Sequence, residues 1–133
     1  MALKALRTAR RARLRRFYLL VQQVVSSLPA DVKSLLENVA IVVESEPSVD
    51  QRRDNHLARE DDLFGLYQGI PQSERGSGYS MVLPDRITIF MGPLQRACET
   101  RADLEEQVRI TVLHELGHHL GLDEDGLDAI GLS

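Results

Sequence analysis

His114-Glu115-Leu116-Gly117-His118 is the part of this chain whose residue types and spacing can do chemistry. On a helix of 3.6 residues per turn, His114 and His118 fall one above the other on one face, so both imidazoles can converge on a single metal ion. Glu115 lies about 100° further round. It can reach a water on that metal without being a ligand, the place of a general base. The residue types suit zinc, which in catalytic sites takes three protein ligands and keeps one position open. The chain then runs His119-Leu120-Gly121-Leu122-Asp123-Glu124-Asp125. Gly121 can adopt the left-handed conformation that ends a helix, turning the next residues back toward the metal. Three adjacent carboxylates follow, Asp123, Glu124 and Asp125, and only one is needed as the third ligand. His119 sits one position off the ligand face and reads as a surface or supporting group.

The helix carrying the motif must be long and buried. Leu104, Val108, Val112, Leu116 and Leu120 form one apolar stripe. Thr100-Arg101-Ala102-Asp103 precedes it as a capping signature, with the threonine hydroxyl over the first turn. Upstream, apolar residues at 17, 20, 21, 24, 25 and 28 predict a helix stopped at Leu28-Pro29. A short second helix follows from Pro29 to about Asn38. Val39 to Val43 reads as a buried strand, Leu63 to Gln68 as a second and Arg86 to Phe90 as a third. Residues 48–62 read as a loop or short exposed helix and 69–80 as a long Gly/Ser/Pro loop. Gly92-Pro93 should break the third strand, with a helical turn over Pro93 to Cys98. Helices alternating with a few strands, and no repeat or second-domain linker, predict an α+β fold: a short mixed sheet packed on the active-site helix, with additional N-terminal helices. The 133 residues, 43% of them hydrophobic, are enough for one packed domain.

Charge is distributed unevenly. The net charge is −4, yet residues 1–16 hold seven of the 16 basic residues and no acid. The remainder keeps nine basic against 20 acidic residues, a net of −11. We therefore divide the chain into a basic, disordered arm, residues 1–16, and a domain, residues 17–133. Such an arm suits nucleic acid or anionic lipid, and equally a solvated tail. Gln22-Gln23 interrupts the apolar run after it, which argues against an export signal. Nor is there an apolar stretch long enough to span a bilayer. The single cysteine, Cys98, excludes an internal disulfide and fits a reducing compartment. A cytoplasmic protein with no membrane partner is expected.

HELGHHLGLDE is similar to the extended zincin motif, HExxHxxGxx followed by a third ligand. Together with Leu83 to Phe90 and Gln107 to Thr111, it makes residues 17–133 resemble the small bacterial minimal zincin-like metallopeptidases. The resemblance places the third metal ligand on Glu124, where relatives often have aspartate. It implies His114, His118 and Glu124 as zinc ligands, Glu115 as general base and then proton donor to the leaving amine, and a peptide or protein substrate. It also implies that a strand pairs with extended substrate, by position Arg86 to Phe90. The chain departs from the metzincins in having methionines only at 1, 81 and 91, so no methionine turn follows the third ligand. No helical segment after the motif is expected to form a second cleft wall. That makes a zinc-binding protein without peptidase activity the alternative function. Tyr79, in the Gly/Ser-rich loop, reads as an aromatic anchor or as a phenol facing the cleft; His56 reads as a solvated loop residue.

Overall fold

The computed structural model describes residues 2–54, 62–69 and 85–121. His56, Tyr79, Asp123, Glu124 and Asp125 lie outside the described residues. In chain order come α1 (Ala2–Ser26), α2 (Ala30–Leu35), β1 (Val39–Glu44), α3 (Val49–Asp54), β2 (Gly65–Gln68), β3 (Asp85–Phe90), α4 (Met91–Ala97) and α5 (Arg101–His119). Helices with a three-stranded mixed sheet make this an α+β fold, as the pattern of elements predicts.

The strand order is β1-β3-β2. β1 and β3 are parallel, with Val39 opposite Asp85 and Glu44 opposite Phe90. β2 runs antiparallel to β3, with Gly65 opposite Ile89 and Gln68 opposite Arg86. This corrects the assignment of Arg86 to Phe90 as a cleft-edge strand. β3 is paired on both sides, and Ile87, Ile89 and Phe90 are fully buried. The most deeply buried of the three strands takes the middle, where both its neighbours and the helices exclude water, although β1 is the more apolar in composition. Among the described strands, β2 forms the edge beside α5.

α1 packs against α5 and β1, while α5 lies on β2 and β3. Phe17, Leu20, Val21 and Val24 of α1 meet Val108, Val112, Leu113 and Leu116 of α5, with Ile87 and Ile89 in the same core. The apolar stripes read from both segments are therefore the buried faces, except at Leu120, which caps α5 and is exposed. The Thr100 hydroxyl accepts the Asp103 N–H at 3.1 Å, so the capping signature starts α5 as expected. Gly121 follows with φ +78°, the left-handed exit the sequence anticipates.

Two differences have clear causes. The segment expected as a disordered arm is instead the first part of α1, which runs unbroken from Ala2. Ala, Leu and Arg are strong helix formers, and Phe17 to Ser26, held by packing, supplies the nucleus they extend. α4 begins at Met91 directly after β3, so Gly92-Pro93 starts a helix while ending the strand. Pro93 sits in the first turn, where an amide N–H has no helical acceptor.

The Thr88 hydroxyl in the middle of β3 is buried without a hydrogen-bond partner among the described residues. An unsatisfied buried hydroxyl costs about 1–3 kcal/mol. Thr88→Val should therefore raise stability by about 1 kcal/mol, read as an upward shift in the denaturation midpoint at unchanged m-value. A downward shift would mean that the hydroxyl is satisfied.

Candidate active site

α5 brings the motif residues to the end of the sheet beside β2. The His114 and His118 rings approach to 4.5 Å between centroids with planes 76° apart, the consequence of their i, i+4 spacing. His114 is half-buried and His118 exposed, so the pair opens toward solvent. Two convergent imidazoles are a donor set that suits zinc. Among the described residues no group of three His, Cys, Asp or Glu side chains converges to complete such a set. The position assigned to the third ligand, Glu124, lies beyond Gly121 and outside those residues.

Glu115 points elsewhere, as its place round the helix requires. Its Oε1 accepts the backbone N–H of Tyr67 at 3.0 Å. The pairing of β2 explains why that N–H is available. Phe90 N–H bonds the Phe64 carbonyl at 2.9 Å, which fixes the alternation of bonded pairs along this antiparallel ladder. Gly65 and Tyr67 are then the residues whose N–H and C=O groups face away from β3. Burial pushes the Glu115 carboxyl above the usual carboxylate range, opposed by the Tyr67 N–H and by the nearby His118 and His114. A carboxylate with a raised pKa is a stronger base.

Sequence reasoning passes over the residues that permit this contact. A Cβ on Gly65 would lie 2.6 Å from Thr111 Cγ2 and 3.2 Å from the Thr88 carbonyl oxygen. Only glycine lets α5 come this close to β2, and an isolated Gly in a strand was the signal available. The Tyr67 phenol donates to Asp85 Oδ2 at 2.8 Å. Its ring stacks on His119 with centroids 4.0 Å apart and planes 12° apart. His119 Nε2 lies 3.6 Å from the same Asp85 oxygen. His119 is thus a supporting group, fastening the end of α5 to β2 and β3. Arg86 donates to Gln68 Oε1 at 2.9 Å across the β2–β3 pair.

A cleft of about 260 Å³ opens beside His114 and Glu115. Leu63, Phe64, Gly65, Ile110 and Thr111 supply much of its lining, which is largely apolar with one carboxylate and one imidazole at its end.

Residues 36–132 match the zincin-like metallopeptidase family. The chain belongs to that family. Among solved structures, a conserved hypothetical protein of T. thermophilus is similar over 80% of this chain and 92% of its own, at 24% identity and a TM-score of 0.52. That likeness concerns the fold. No curated protein matches the chain. Among the described residues of this zincin-like protein, no helix is long and apolar enough to cross a membrane.

Gly65→Ala should destabilise the domain by about 1–3 kcal/mol through overpacking against Thr111. It should also speed amide exchange at Tyr67, because lifting α5 breaks the Glu115 bond. Exchange at Tyr67 as slow as in the wild type would show that the close approach does not hold that contact.

Proposed function

We propose that this chain is a zinc-dependent peptidase in which Glu115 moves the protons of peptide hydrolysis. The observation that carries the reading is the division of labour on one turn of α5: two imidazoles meet at 4.5 Å while the intervening carboxylate is held aside by a strand amide. His114 and His118 would hold the metal with one exit carboxylate, Glu124 on the family pattern. Bound zinc supplies Lewis-acid polarisation of a carbonyl and lowers the pKa of water.

The remaining work falls to the chain's own groups. The Tyr67 N–H occupies Glu115 Oε1 and leaves Oε2 to accept a proton from the attacking water. The same carboxyl then delivers that proton to the leaving amine nitrogen. Burial favours this exchange, because it raises the proton affinity of the carboxylate. The outward-facing backbone groups of Gly65 and the Tyr67 carbonyl suit an extended peptide added along the edge, the Tyr67 N–H being taken by Glu115, with an apolar side chain in the cleft. The lone Cys98 supports a reducing compartment, the cytoplasm.

Purified protein is expected to bind one zinc. Glu115→Gln should retain the metal while lowering peptide hydrolysis by at least about 10²-fold, the usual scale of a general base. Metal content by elemental analysis and cleavage of a quenched peptide library check the two halves separately. Retained zinc with a wild-type protein that cleaves nothing would favour a metal-binding module instead. A folded protein with no affinity for zinc would remove both readings.

A further inference from the structure

The first four turns of α1 form a charged rod along one side of the domain. Residues 2–13 are all exposed. Lys4, Arg7, Arg10, Arg11, Arg13, Arg15 and Arg16 stand between Ala2 and Arg16 with no acid among them. Fourteen residue steps at about 1.5 Å give a rod of roughly 21 Å. Among the described residues, none of these seven cations pairs with a carboxylate. The cations form two faces. Arg10, Arg13 and Arg16 turn toward the domain, where they line clefts with Gln95 and Arg101. Lys4, Arg7, Arg11 and Arg15, spaced by three, four and four residues, share a second face that points away.

We propose that this helix binds the phosphate backbone of duplex DNA by lying in the major groove. An α-helix of about 10–12 Å diameter fits a groove about 12 Å wide. The outward face offers four cations and no acid to the phosphates of the groove wall. A lipid surface fits less well, because an interfacial helix needs an unbroken apolar face with aromatic anchors. Residues 2–16 contain no aromatic side chain. Leu3 and Leu6, 69% and 63% exposed, share their side of the helix with Arg10 and Arg13. Binding through phosphates carries no sequence preference of its own. The inference is independent of the hydrolytic reading, since it uses no residue of α5's motif.

The test is an anisotropy titration of the full chain against a labelled mixed-sequence DNA duplex between roughly 50 and 200 mM salt. Four phosphate contacts predict a slope of log K against log salt of about −3.6. Replacing Arg7, Arg11 and Arg15 together by Gln should reduce it to about −0.9, while the same three changed to Lys should leave it intact. Gln keeps the helix, which far-UV circular dichroism checks, and the buried stripe from Phe17 onward is untouched. Each of these results would overturn the proposal: no binding at the lowest salt, a slope unchanged in the Gln variant, loss of binding in the Lys variant, or arginine-dependent binding to phosphatidylserine vesicles without binding to DNA. Arginine-dependent self-association in sedimentation, again without DNA binding, would assign the helix to a second copy of the chain and overturn it equally.

Discussion

The closeness of α5 to β2 is the constraint on which this site rests. A helix normally stands off a strand by the thickness of the side chains between them. At Gly65 that layer is missing, and Thr111 fills the space a Cβ would take. The approach lets a carboxylate on the helix reach a peptide N–H on the strand. The same approach half-buries Glu115 and closes one side of the apolar cleft. Orientation, basicity and cleft shape thus share one cause, the absence of a side chain.

Other contacts hold β2 at that distance. Arg96 on α4 bonds Glu46, just after β1, and reaches Asp62, just before β2, at 3.2 Å. These groups are substantially exposed, and exposed ion pairs contribute little to stability. Their effect is to fix where the chain enters the edge strand. At the other end of β2, Tyr67 bridges Asp85 and His119 and joins the last turn of α5 to the sheet. The strand is four residues long, so a tether near each end leaves little freedom between.

Much of this architecture was legible in the sequence because it depends on local periodicity. The i, i+4 histidines, the Thr100 cap, the buried stripe of α5 and the turn at Gly121 each need only a few neighbouring residues to be recognised. The three strands were legible for the same reason. Strand order was not. Position before the motif helix suggested β3 as the edge, whereas burial of Ile87, Ile89 and Phe90 puts it in the centre. The Glu115 clamp was also hidden, since its donor is a main-chain amide 48 residues away that carries no signature in residue type. The start of α1 was misread because charge density suggested disorder while helix propensity and an anchored continuation decided otherwise.

The clamp has a consequence for which substitutions the site can absorb. A donor supplied by the main chain survives every replacement of its own side chain except proline, which has no N–H. Position 67 is therefore permissive toward the clamp, although its ring and hydroxyl do separate work on His119 and Asp85. Position 65, which touches no reacting group, is the intolerant one. In such a design, sequence drift is filtered most strictly at a residue with no chemistry of its own, while the atom that aims the base is carried by any amino acid that can form a strand.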